Sequence, residues 1–153
     1  MKKLLSVMLA VCMLFALTAC GTEYEDTNGD DITLETITDE DIINLATGAS
    51  GLTYKETNIG GLKSSEYSAK NFNGVEQIYL TNFIAKSDVC IYIGHMNVES
   101  GNFKLAVIND GKIIKEIPAD TFNEEFWFYD LKGTFSVHVA GESAKFDFYI
   151  DID

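Results

Sequence analysis

From residue 51 to the C-terminus, apolar side chains recur at every second position of the chain. The clearest runs lie at residues 135–139 and 146–150. A repeat of two is the period of a β-strand with one buried face, and glycine-bearing turns separate the runs. The pattern predicts strands near residues 53–58, 64–72, 75–84, 88–97, 102–109, 112–118, 125–130, 133–140 and 144–152.

Short strands without crossover helices predict an all-β fold. We expect residues 38–153 to form a single antiparallel β-sandwich, of immunoglobulin-like or jelly-roll-like type, preceded by a short helix. Residues 88–97 are apolar on both faces, which is typical of a central strand. The likeness to immunoglobulins is one of architecture only, because Cys90 has no second cysteine in this domain.

The last two strands predict a hairpin. Pairing Val139 with Phe146 places the apolar side chains of both strands on one face, and a slip of one residue would expose half of them. On the opposite, solvated face this register places His138 beside Asp147.

A second hairpin is predicted between residues 102–109 and 112–118. A three-residue loop that ends at Gly111 pairs the apolar positions and sets Lys104 beside Glu116. A two-residue turn of Asp110 and Gly111 is the alternative, and it scatters the apolar partners.

The segment before the strands is strongly acidic. Residues 21–41 hold nine aspartates and glutamates and no lysine. Such a segment buries too little apolar surface to offset the entropy of ordering it, so we predict a flexible tether over residues 20–37. Thr38 is a helix-capping residue followed by acids, and it predicts a short helix over 39–47 that ends before Gly48.

The first twenty residues have the layout of an export signal. Lys2 and Lys3 precede a largely apolar run over residues 4–17, which is short for a membrane span. The run ends in the residues Leu-Thr-Ala-Cys at 17–20, with Gly21 after them. This motif resembles the lipobox of bacterial lipoproteins.

The resemblance implies a signal peptide over residues 1–19 and a diacylglyceryl group on the Cys20 thiol. The mature protein would then be held on the outer side of the cell membrane, and two acyl chains suffice for stable attachment. In layout the mature chain also resembles small surface lipoproteins of Gram-positive bacteria, a likeness that implies no particular activity.

Charge and spacing exclude several classes of ligand. A formal net charge of −13 opposes nucleic-acid binding, which needs cations on phosphates. Asp26, Asn28 and Asp30 alternate as in a calcium-binding loop. However, Asp31 and Ile37 stand where such a loop needs glycine and glutamate. No Cys/His cluster has ligand spacing, so we expect no metal and no cofactor.

The best candidate binding residues are Trp127 and Tyr129. If Phe126 and Phe128 enter the core, both side chains point outward, where they can stack on a sugar ring or anchor a protein partner. The alternative is a central strand with both faces covered. Cys90 lies in an apolar strand and is expected to be an unreactive thiol.

These observations favour a lipid-anchored, non-enzymatic envelope protein that binds an envelope protein or a glycan. One alternative is an accessory subunit of a membrane complex, which predicts a contiguous exposed apolar patch. Another is an envelope hydrolase that uses His138 and Asp147, which needs a cleft and a nucleophile beside the histidine.

Overall fold

A computed structural model describes residues 34–59 and 62–153 of the chain. The predicted signal peptide, the lipobox with Cys20 and residues 20–33 of the predicted tether lie outside this part.

The described chain is almost entirely strand. The helix α1 spans Asp39–Asn44. It is followed by the strands β1 (Ser50–Ile59), β2 (Leu62–Asn109), β3 (Lys112–Ile117) and β4 (Phe122–Ile152). All strand pairs are antiparallel. The predicted all-β antiparallel class with one short preceding helix is therefore confirmed. No helix in the described ranges is long and apolar enough to cross a bilayer.

β2 and β4 form one long antiparallel ribbon. Its pairing runs from Ser65 opposite Ile150 to His95 opposite Phe122. β1 pairs with the start of β2, and β3 pairs with its end. The later part of β2 also pairs with the second edge of β4, so the ribbon winds back on itself.

The winding follows from chain length. Phe83 pairs with Gly133 on one edge of β4, and Ile91 pairs with Ile152 on the other. The chain from Phe83 to Ile91 spans at most about 28 Å. A straight strand from Gly133 to Ile152 would be about 65 Å long. Both strands must therefore bend, and the ribbon folds into a sandwich-like arrangement of facing layers.

The bends lie where the ladder is irregular. The register shifts between Val98 and Asn102 of β2, and Ser143 of β4 has a positive φ of 52°. Gly101 has a φ of 77°, and a Cβ atom there would lie 2.3 Å from the Ser143 carbonyl oxygen. Only glycine fits such a close approach of two neighbouring backbones.

The main core fills the space between the layers. Its fully buried side chains include five phenylalanines from β2 and β4, and all of them except Phe135 contact one another edge-on, tilted or stacked. Ring contacts of these kinds stabilise a core beyond the apolar area that they bury. The five are Phe72, Phe103, Phe135, Phe146 and Phe148.

A second, smaller cluster lies on the other face of the sheet, under residues 34–45, which we call the N-terminal latch. Ile42 of α1 is fully buried there, and Ile37 is 8% exposed. They pack against Val75, Ala106, Ile108 and Ala140. Residues 34–37 thus contact the domain, four residues before the predicted boundary at 38.

The helix itself is shorter than the predicted 39–47. Thr38 caps it as expected, in a capping box with Asp41. Leu45 then adopts a left-handed conformation with a φ of 52°, and its N–H donates to the Asp41 carbonyl. The helix therefore ends at Asn44, ahead of the glycine that the sequence offered as a stop.

The predicted hairpin of residues 133–140 with 144–152 is wrong. Val139 pairs with Glu76 and Leu105, whereas Phe146 pairs with Ala69 and Val98. The side chains that enter the main core change from odd to even numbers between these two runs. A hairpin turn would produce this change of parity, and so does an extra residue within a continuous strand. In this chain the strand is continuous, and the irregularity lies around Ser143.

The second hairpin uses the two-residue alternative. Asn109 pairs with Lys112, and the turn residues Asp110 and Gly111 have φ values of 46° and 70°. Positive φ at both central residues matches the twist of the flanking strands. A register shift after Val107 re-aligns the apolar partners that a regular ladder would have scattered.

Candidate binding face

Residues 122–131 of β4 carry the two aromatic side chains that the sequence singled out. Phe126 and Phe128 pack against the core, so the alternation turns Trp127 and Tyr129 outward. These two are 52% and 66% exposed. Their ring centroids lie 6.1 Å apart, and the ring planes are inclined by only 10°.

Polar contacts hold this pair in place. The indole N–H of Trp127 donates to Glu125 at 3.1 Å, two residues back along the same face. The N–H of Asp130 donates to the Asp88 carboxylate at 3.0 Å, and the Asp130 carboxylate lies 3.0 Å from the Lys86 ammonium. The two rings therefore lie nearly parallel and exposed, with the Trp127 ring held by its hydrogen bond to Glu125.

The aromatic surface continues on the neighbouring strands. Tyr92 of β2 lies opposite Glu125, so it shares the face of Trp127. The Tyr149 ring contacts Tyr92 edge-on at 6.2 Å and stacks on His95 at 6.5 Å. We call these five side chains the outer aromatic face: Tyr92, His95, Trp127, Tyr129 and Tyr149.

Gly94 makes room for the centre of this face. A Cβ atom at residue 94 would lie 2.8 Å from the Tyr149 ring. The missing side chain thus lets the tyrosine lie flat across β2.

Acidic and amide groups surround these rings. The imidazole Nε2 of His95 lies 3.1 Å from the Asp147 carboxylate, and Asn97 donates to the same carboxylate at 3.1 Å. The His–Asp pair of this protein is therefore His95 with Asp147. The sequence did not reveal it, because the two residues meet only through the second pass of the ribbon.

The predicted pair of His138 and Asp147 is not formed. His138 lies opposite Gln77 and Ala106, and it is only 2% exposed. Its Nδ1 atom lies 2.7 Å from the Ile42 carbonyl oxygen of the latch. Burial lowers the pKa of His138, against the opposing effect of that hydrogen bond. The alternative of a hydrolase that uses these two residues therefore lacks its His–Asp pair.

Cys90 lies beside Trp127 in the ladder and is partly exposed, not deep in the core. Burial raises the pKa of its thiol, and the carboxylates of Glu125, Asp153 and Asp151 raise it further. The neutral thiol is thus favoured at physiological pH, as an unreactive cysteine requires.

Within residues 34–59 and 62–153, no three His, Cys, Asp or Glu side chains are placed to hold a metal ion.

Comparison with known proteins yields a fold likeness alone. No protein-family model and no curated protein matches the chain. One similar solved structure is described as "Bacillus endospore appendages form a novel family of disulfide-linked pili". The two chains are 14% identical with a TM-score of 0.42, over 67% of this chain and 86% of the other.

Proposed function

We propose that this protein is a lipid-anchored, extracytoplasmic binding module whose outer aromatic face holds a neutral or amino-sugar glycan of the envelope. The observation that carries the proposal is the exposed, nearly parallel pair of Trp127 and Tyr129. Sugar rings have apolar faces that stack on aromatic rings, and aromatic side chains are the common anchors of binding surfaces.

The polar surroundings fit the same ligand. Carboxylates such as Glu125 and Asp147 accept hydrogen bonds from sugar hydroxyls, and Asn97 offers an amide. The net charge of −13 disfavours phosphate-rich or otherwise anionic polymers. The face runs from Trp127 of β4 across β2 to Tyr149 in the last part of β4. This crosses two strand spacings, about 10 Å, which suits a glycan of at least two sugar units.

The anchor follows from the lipobox resemblance. Cys20 would carry the diacylglyceryl group, and the chain from Cys20 to Leu34 reaches at most about 50 Å. A linker of this length would let the domain reach envelope glycan that lies outside the membrane. Replacing Cys20 by serine should release the protein from membranes, and retention on the membrane would contradict the anchor.

An accessory subunit of a membrane complex is a second candidate function, and it rests on a different surface. Leu80 and Ile84 are 57% and 93% exposed, although both are large aliphatic side chains. Exposed apolar groups of this kind are typical of protein contact sites when they are contiguous.

One experiment separates the two functions. Because Trp127 is the only tryptophan, its fluorescence reports directly on the outer aromatic face. We expect soluble fragments of envelope glycan to shift the emission of the wild type and of Ile84→Ala equally. Tyr129→Ala should weaken binding by about tenfold, and an unchanged spectrum on glycan addition would overturn the proposal.

A further inference from the structure

A cleft opens at the start of β1. It has a volume of about 550 Å³ and lies between residues 49–54 and residues 76–78 of β2. A second cavity of about 280 Å³ shares Tyr54, Tyr67 and Ile78 with it. Cavities of this combined size accommodate small organic ligands.

The wall of the cleft is a stack of aromatic rings. Tyr54 lies 5.0 Å from Tyr67, and Tyr67 stacks on Phe148 of the core at 5.2 Å. Tyr67 is only 7% exposed, and its hydroxyl donates to the Ile78 carbonyl at 3.4 Å. Tyr54 is half exposed. The Tyr67 ring is thus fixed and covered, whereas the exposed part of the Tyr54 ring faces the cleft.

The charged groups at the rim are all negative. Glu76 lines the larger cavity, and Glu56 lines the smaller one and accepts a hydrogen bond from the Tyr54 hydroxyl at 3.1 Å. None of the described residues that line either cavity is a lysine, an arginine or a histidine. Burial raises the pKa of Tyr67 to about 12, and Tyr54, Glu56 and Glu76 contribute to that rise.

We propose that this cleft binds a small organic ammonium, with the cation against the half-exposed ring of Tyr54, which Tyr67 supports from behind, and its charge balanced by Glu76. Aromatic rings attract a cation through their negative faces, most strongly where water is partly excluded. The carboxylate of Glu76, which has no ion pair within the described part of the chain, provides the complementary charge. Anionic ligands are repelled by the same groups.

The site is separate from the outer aromatic face. Tyr54 lies opposite Tyr67 in the ladder, and Tyr67 packs against Phe148, so these rings line the interior side of the sheet. Trp127 and Tyr129 lie on the exterior side, on a different strand. The cleft therefore does not depend on the proposed glycan function.

The test uses the full chain in detergent and choline as the probe. We expect choline to shift the aromatic-ring NMR signals of Tyr54 and Tyr67. Its uncharged isostere, 3,3-dimethylbutan-1-ol, should produce no such shift. Tyr54→Leu and Glu76→Gln should each weaken choline binding by roughly five- to thirtyfold, and the matched control Tyr129→Leu should leave it unchanged.

The outcomes also identify the source of the cation. Because the anchor alone can bind vesicles, phosphatidylcholine vesicles are offered to the wild type and to Tyr54→Leu. Equal vesicle binding by the two supports a free ammonium ligand, and weaker vesicle binding by Tyr54→Leu supports a headgroup as well. Equal binding of the uncharged isostere overturns the proposal. So do wild-type affinity in both cleft variants and the absence of any choline-induced shift.

Discussion

The carboxylate of Glu142 accepts two hydrogen bonds from Thr36, one from its backbone N–H at 2.6 Å and one from its hydroxyl at 2.5 Å. The same carboxylate accepts the N–H groups of Glu35 and Ile37 and the Asn102 amide. One side chain of β4 thus fixes three consecutive backbone groups at the start of the N-terminal latch.

Replacing Glu142 by glutamine should loosen the latch. The amide keeps one acceptor oxygen but loses the charge, and charge-assisted hydrogen bonds are the stronger ones. After allowance for solvent near this carboxylate, we expect a loss of about 1–2 kcal/mol in the free energy of unfolding. Urea denaturation measures the loss, and hydrogen exchange at residues 35–37 should accelerate. Unchanged exchange there would contradict the clamp.

The effect of Glu142 should depend on pH in a defined window. The Thr36 hydroxyl bond, followed by the backbone N–H bonds, lowers the pKa of Glu142 from 4.5 to about 2. Since the folded pKa is depressed, the stabilisation is complete above about pH 4.5 and is lost as the pH falls towards 2. The difference in unfolding free energy between wild type and Glu142→Gln should therefore shrink between pH 5 and pH 2.

His138 should make the protein less stable in mild acid. Burial lowers its pKa below 6.5, so the unfolded chain takes up a proton before the folded chain does. Stability should fall as the pH drops from about 7 through the unfolded pKa towards the folded one. His138→Leu should remove this dependence, at some cost at pH 7 because the Ile42 carbonyl loses its partner.

The control for this prediction is His95→Asn. His95 is the only other histidine, and it lies on the partly exposed outer aromatic face. Chemical denaturation at pH 7.5 and 5.5 should show a clearly smaller change for His138→Leu than for the wild type and His95→Asn. An identical change in all three proteins would mean that His138 does not cause the dependence.

The sequence predicted the class of fold and the side chains of the main core correctly, but not the pairing. It also expected the face of His138 to be solvated, whereas the N-terminal latch buries it. Phe135 and Phe146 are both buried as the alternation required. The alternation records which face a residue takes, and it does not record which strand lies beside it. A hairpin and a bent continuous strand bury the same residues, so the winding of the ribbon could not be read from local pattern.

The same limit applies to the candidate sites. Trp127 and Tyr129 were found because they are two residues apart on one strand. Tyr54, Tyr67 and Glu142 were missed because each acquires its role from residues distant in sequence. Their positions in the sequence do not show which residues they contact, because this depends on how the strands pair.

The buried anchor of the latch is Ile42, and its truncation should cost more than that of its neighbour. Ile42 is fully buried, so Ile42→Ala removes apolar contacts and leaves a cavity, at about 2–4 kcal/mol. The adjacent Ile43 is only partly buried and serves as the matched control. Equal losses of thermal stability for Ile42→Ala and Ile43→Ala would contradict the docking described here.

The close approach of β2 and β4 at Gly101 predicts a strongly damaging conservative substitution. An alanine there must adopt a φ of 77° and place its Cβ 2.3 Å from the Ser143 carbonyl oxygen. Left-handed backbone strain and the clash together should cost about 2–5 kcal/mol. Gly48→Ala is the control, because no atom lies within 4 Å of a Cβ there. Urea midpoints should drop sharply for Gly101→Ala and scarcely move for Gly48→Ala, and similar midpoints would show that the two strands do not cross so closely.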